Sequence, residues 1–190
     1  MPPKLVMQTL NQLWLELQKS EIQVAVAGGI ALSFWGHPRS TQDIDLSVLA
    51  NNDDALTPLL RKMGMRLKSS RPLPLELFHL SQWTFEPDDA FVEVEIDLLI
   101  GDSDYYRSVL SRARQVHLEG VAIPVQVLTV EDLILHKLFA QRLIDQADVL
   151  TMFELHFEEL EHVYLHFWAD RLGLNETLEV AIGRYRDEQP

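Results

Sequence analysis

The segment Gln23-Val24-Ala25-Val26-Ala27-Gly28-Gly29-Ile30-Ala31-Leu32-Ser33-Phe34-Trp35, followed by Arg39-Ser40-Thr41-Gln42-Asp43-Ile44-Asp45-Leu46, decides the reading of this chain. Gln23 to Ala27 reads as a short strand that ends at Gly28-Gly29. Ile30 to Trp35 reads as a helix of about two turns, stopped by Gly36 and Pro38. Asp43 to Leu49 reads as a second strand, with Ile44, Leu46 and Val48 on one face. Residues i and i+2 of a strand point to the same side, so Asp43 and Asp45 project together, about 6.6 Å apart at their backbones.

Two neighbouring carboxylates repel, and the pair costs stability unless a cation sits between them. Mg²⁺ or Mn²⁺ is a hard cation that takes such oxygen ligands. A third carboxylate is expected from the strand Phe91 to Ile100. There Val92, Val94, Ile96, Leu98 and Ile100 alternate with Glu93, Glu95 and Asp97. Asp97 is the best third ligand, with Glu95 and Glu93 as fallbacks on the same face. At Gly28-Gly29 the backbone N–H groups are expected to approach a phosphate closely, beside a helix N-terminus. Arg39 reaches a phosphate or bridges a neighbouring acid, and Thr41 shapes the turn more readily than it touches substrate.

The strand, Gly-Gly, helix, Asp-x-Asp and later acidic strand together resemble the nucleotidyltransferase superfamily related to DNA polymerase beta, over about Val24 to Ile100. The block Leu128-Thr129-Val130-Glu131-Asp132-Leu133-Ile134-Leu135-His136-Lys137-Leu138-Phe139-Ala140, then Arg142 and Asp145-Gln146-Ala147-Asp148-Val149, resembles the AbiEii-like branch. That branch includes nucleotidyltransferase toxins of toxin–antitoxin and abortive-infection systems. The resemblance implies a nucleoside triphosphate (NTP) with Mg²⁺ or Mn²⁺, an RNA (tRNA) or protein acceptor, and an antitoxin as a partner. It also brings Lys137 and an aspartate of the Asp145/Asp148 pair into the active site. The chain departs from the wider superfamily in carrying Gly-Gly where Gly-Ser is commoner, which removes one hydroxyl from the phosphate loop.

Helical spacing supports Lys137 independently. At 100° per residue it falls mid-way in the apolar arc of Leu133, Val130, Ile134 and Leu138. A lysine there needs a phosphate or carboxylate partner, or its amine snorkels to water. On an unbroken helix Asp148 would lie about 16 Å from Lys137, and a turn near Arg142 would bring them closer.

The remaining chain sets the frame. Residues 4–19 read as an amphipathic helix on Leu10, Leu13, Trp14 and Leu17. Residues 53–63 read as a helix, Lys68 to Pro74 as a loop, Leu80 to Phe85 as a strand and Ser103 to Arg114 as a helix. Val116 to Val121 and Ile123 to Leu128 read as a hairpin, and everything after Thr129 as helical, with Asn175 capping the last helix. The expected fold is α+β: a small mixed sheet flanked by helices over residues 1–128, and a helical region over 129–190 packed on that core.

The 190 residues carry a net charge of −13 and no cysteine, so disulfides and thiolate metal sites are excluded. The most apolar stretch, Val24 to Trp35, is too short to span a bilayer, and the chain reads as cytoplasmic with no membrane partner. No basic stripe for gripping nucleic acid is visible, and Arg61, Lys62, Arg66, Lys68 and Arg71 read as a solvated helix face plus a loop. His156, His162 and His166 read as a solvated face rather than a zinc site. Two further functions compete: a nucleotidyltransferase acting on an antibiotic or other small hydroxyl compound, and a non-catalytic module of the same fold.

Overall fold

The computed structural model describes residues 3–72, 78–87 and 92–187. Phe91, expected to open the acidic strand, and Leu73 and Pro74, expected to close a loop, lie outside the described residues. The chain divides into two compact units, 1–34 with 38–128, and 35–37 with 129–190.

The first unit holds seven strands: β1 (Val24–Val26), β2 (Asp43–Leu49), β3 (Arg66–Pro72), β4 (His79–Phe85), β5 (Val94–Gly101), β6 (Arg114–Val116) and β7 (Val125–Val127). They form one mixed sheet in the order β3-β4-β5-β2-β1-β7-β6. β2 pairs with β5 and β1 with β7 in parallel, and the other neighbours run antiparallel. The alternation expected for the two acidic strands is present over Asp43–Leu49 and Val94–Gly101, whereas Val92, expected on the apolar face, is exposed and precedes β5. Ile44, Leu46, Val48, Ile96, Leu98 and Ile100 are buried, while Asp43, Asp45 and Asp97 sit on the other, polar face. Helices α1 (Lys4–Leu17) and α4 (Asp104–Arg112) pack against β2. Leu10, Leu13, Trp14 and Leu17 of α1 are buried, and Trp14 donates to the Pro124 carbonyl at 3.1 Å. The short helices α2 (Gly28–Phe34) and α3 (Thr57–Lys62) complete the unit.

Four local expectations fail. The hairpin expected over Val116 to Val121 and Ile123 to Leu128 instead pairs Arg114–Val116 with Val125–Val127. Residues 53–63 are not one helix. A single 3-10 turn spans Asp53–Ala55, and α3 starts afresh at Thr57, with Pro58 in its first turn where a proline's missing N–H costs nothing. Residues expected to end the fourth helix, Arg112 to Arg114, divide at Ala113, and Arg114 opens β6. Lys68 to Pro72 is not a loop but part of β3, the edge strand. It pairs on one side only, with β4, so its sequence needs no apolar alternation.

The second unit contains α5 (Val130–Ala140), α6 (Leu143–His156), α7 (His162–Arg171) and α8 (Asn175–Asp187). Thr129 caps α5, accepting from the Asp132 N–H at 3.4 Å. The Asp132 carboxylate is itself buried, and accepts from Thr129 at 2.8 Å and Tyr164 at 2.7 Å. Asn175 begins α8, and its amide donates to Asp170 at 2.8 Å.

Candidate active site

Register decides what the polar face of the sheet contains. Asp45 stands opposite Asp97, and Asp43 opposite Glu95, across the parallel β2–β5 pair. Four carboxylates, Asp43, Asp45, Glu95 and Asp97, therefore share one face of two adjacent strands. Burial, first of all, pushes the Asp97 carboxyl above the usual range, and the charges of Asp43 and Glu95 add to it. A hydrogen bond from Gln82 opposes that rise.

The two expected fallback ligands are already engaged. Arg66 of β3 bonds Glu93, and Lys68 bonds Glu95. These two cations are exposed, as expected, but stand on a strand rather than a loop and reach the acidic face. Asp43 and Asp97 have no lysine or arginine bonded to them in any contact the structure describes. Among the described residues, no three side chains of His, Cys, Asp or Glu converge as a ready-formed metal cluster. Asp43 accepts from the Thr41 hydroxyl, and Asp97 accepts from the Gln82 amide at 3.1 and 3.4 Å. The donor set is all carboxylate oxygen, the chemistry a hard divalent cation takes.

The glycine turn lies against the same acids. Gly28 has φ +55°, and a Cβ built on it would fall 1.8 Å from Asp45 Oδ2. Only glycine allows that approach. A Cβ on Gly29 would meet Thr41 Cβ and Oγ1, each at 2.6 Å. The departure from Gly-Ser thus has a steric cause here: Thr41, 6% exposed, occupies the volume that a side chain at 29 would need. Ser33 ties the loop closed, donating to the Gly29 carbonyl at 3.0 Å and accepting from the Arg39 N–H at 3.4 Å.

The second unit gathers a different set. α5 ends at Gln141, whose φ is +55°, and α6 starts after Arg142, so the chain turns there. Asp145 and Asp148 come back alongside Lys137. Its ammonium donates to Asp145 Oδ1 at 2.8 Å and lies 2.9 Å from Asp148 Oδ2. All three are buried. Burial pushes the Asp145 carboxyl upward, but hydrogen bonds from Arg142 and Lys137, with their charges, outweigh it and lower it overall. His37 lies 3.0 Å from Asp148 Oδ1 through Nε2. The lysine's partners are therefore carboxylates of its own unit. The preceding residue, His136, is half-buried with its Nε2 shielded from solvent, and burial pushes its pKa down to about 4.

Gln82, Ser69 and His37 were not found from sequence. His37 is 111 residues from Asp148, and no local pattern connects them. Gln82 carried one available signal, a polar residue on the acidic face of a strand. His156 and His162 are spent on carbonyls, donating to Trp35 at 2.7 Å and Phe157 at 2.9 Å.

The profile of the family described as "Nucleotidyl transferase AbiEii toxin, Type IV TA system" matches residues 10–182. The chain belongs to the AbiEii nucleotidyltransferase family. No curated protein matches it. Among solved structures, TM1012 from Thermotoga maritima is 18% identical with a TM-score of 0.54, covering 80% of this chain and 93% of its own. The antibiotic-resistance factor ANT(2'')-Ia is 13% identical with a TM-score of 0.52, covering 96% of this chain and 97% of its own. JHP933 from Helicobacter pylori is 17% identical with a TM-score of 0.50, covering 83% and 68%. At these identities the likeness is one of fold. It agrees with the mixed sheet, flanking helices and helical C-terminal part of this AbiEii chain. Among the described residues no helix is long and apolar enough to cross a membrane.

Proposed function

We propose that this AbiEii protein transfers a nucleoside monophosphate from an NTP to an RNA or protein acceptor, as the toxin of a toxin–antitoxin pair, with Mg²⁺ or Mn²⁺. The observation that carries the reading is the parallel register that sets Asp45 beside Asp97, with Asp43 two residues earlier on the same face. Asp43, Asp45 and Asp97 would hold the cation. When bound, the metal polarises the α-phosphate and eases ionisation of the attacking hydroxyl. The acceptor oxygen forms a bond to the α-phosphorus as the bond to the bridging oxygen breaks, and pyrophosphate leaves with that electron pair. Asp97, beside the attacking hydroxyl, would take the acceptor's proton. Gly28 and Gly29 let the backbone approach the triphosphate, Thr41 orients Asp43, and Arg39 binds phosphate. Lys137, fixed by Asp145 and Asp148, serves the same reaction, an assignment that rests on the family resemblance.

The test incubates the protein with each labelled NTP, Mg²⁺ or Mn²⁺, and total tRNA or cell lysate. Label should pass to the RNA or protein fraction and vanish in Asp43→Ala and Asp45→Ala. Lys137→Arg, which keeps the charge, should retain the fold and lose most transfer. NTP with metal should also raise the melting temperature, since binding stabilises by mass action. Transfer only to a small hydroxyl compound would replace the acceptor in this reading. No transfer and no thermal shift would leave a non-catalytic module.

A further inference from the structure

We infer that Gln82, held in place by Ser69, is a positioning residue that aims Asp97 at its cation. The inference rests on the proposed metal-binding role of the carboxylates. Gln82 stands on β4 directly opposite Asp97 on β5, and opposite Ser69 on β3. Its amide nitrogen donates to both Asp97 oxygens, at 3.1 and 3.4 Å. Its amide oxygen accepts from the Ser69 hydroxyl at 2.9 Å. The two contacts select the same amide orientation, because the opposite one would turn the amide oxygen toward a carboxylate.

The backbone explains how a serine comes to stand there. The β3–β4 register slips between Leu67 and Ser69, so Lys68 is the extra residue of a bulge. Strand bulges re-aim side chains and concentrate beside functional sites. In an uninterrupted strand Lys68 would face Gln82. With the bulge, Ser69 takes that place and the Lys68 ammonium is released to bond Glu95. One inserted residue therefore both fixes the Gln82 amide and ties up the neighbouring acid.

A carboxylate oriented by a neutral donor keeps its charge and its spare lone pairs for a cation. Groups that orient metal ligands in this way typically change metal affinity by about ten- to a hundredfold when removed. Gln82→Met keeps the side chain's size and deletes both contacts. Mn²⁺ binding, with and without ATP, is measured by calorimetry on the full chain, beside the melting temperature of the metal-free protein.

The expected result is Mn²⁺ binding weakened about tenfold or more in Gln82→Met. Ser69→Ala is expected to weaken it by a smaller factor, and to have no further effect in the Gln82→Met background, since it acts through Gln82. Melting temperatures should stay close to wild type. Wild-type affinity in Gln82→Met, while Asp97→Ala binds poorly, would overturn the inference and leave the metal site standing. Equal effects of Ser69→Ala in both backgrounds would overturn Ser69's part. Absence of Mn²⁺ binding by the unaltered chain would overturn both the inference and the function on which it rests.

Discussion

The two units handle buried and half-buried aspartates in opposite ways. In the sheet, Asp43, Asp45 and Asp97 crowd onto one face, and the described contacts of Asp43 and Asp97 are to neutral donors, Thr41 and Gln82. In the helical unit, Asp145 and Asp148 enclose Lys137, and Arg142 and His37 add a second layer. In the first arrangement the hydrogen-bond partners described for Asp43 and Asp97 carry no compensating charge. The second balances its negative charge within the unit. The same residue type is thus a ligand candidate in one unit and part of a closed ionic cluster in the other. Net charge and composition do not distinguish the two.

The contrast is testable in unfolding free energy, measured by denaturant titration. Lys137→Met should have the largest effect, a loss of about 3 to 5 kcal/mol, because it strands buried carboxylates without their cation. A loss below about 1 kcal/mol would mean that the cluster is not closed. Acidification comes next. His136 is held neutral by burial, with its pKa lowered to about 4, whereas an unfolded histidine binds a proton below about 6.5. The unfolded chain therefore takes up the proton first. Stability is complete above about pH 6.5 and falls as pH drops toward 4, by roughly 3 kcal/mol at most. His136→Gln should flatten that window.

A smaller effect is expected at the glycine turn. Gly29→Ser should cost about 1 to 3 kcal/mol by overpacking against Thr41. Pairing it with Thr41→Gly should recover most of that loss, and failure to recover would show that Thr41 is not the obstacle. Smallest of all should be Asp97→Asn, which changes stability by less than about 1 kcal/mol and in the stabilising direction, since burial and the charges of Asp43 and Glu95 already disfavour the ionised carboxyl. A loss of several kcal/mol there would mean that the sheet carboxylates are as internally balanced as those around Lys137.

Much of this was legible in the chain. The alternation of Val94, Ile96 and Leu98 with Glu95 and Asp97 has period two, and only one register keeps that apolar set buried. The Asp43–Asp45 pair, its glycine turn and the Asp97 strand followed from that. β3 was misread because Lys68-Ser69-Ser70 has no apolar face, as an edge strand need not. The Lys137 partners and a turn near Arg142 were named, but the turn itself could not be derived, since a non-glycine residue in a left-handed conformation, Gln141, leaves no trace in hydrophobic periodicity. Gln82 and His37 were missed because each acts through a residue far away in sequence.

The sequence by itself determined the kinds of element, the faces they bury and which acids are available, because those follow from side-chain period and burial. Tertiary structure alone decided which acids meet. Asp45 faces Asp97 through strand pairing, Glu95 is taken by Lys68 through a bulge, and Lys137 is enclosed through a turn. Each outcome depends on contacts between distant parts of the chain, and a shift of one residue would give a different set of neighbours.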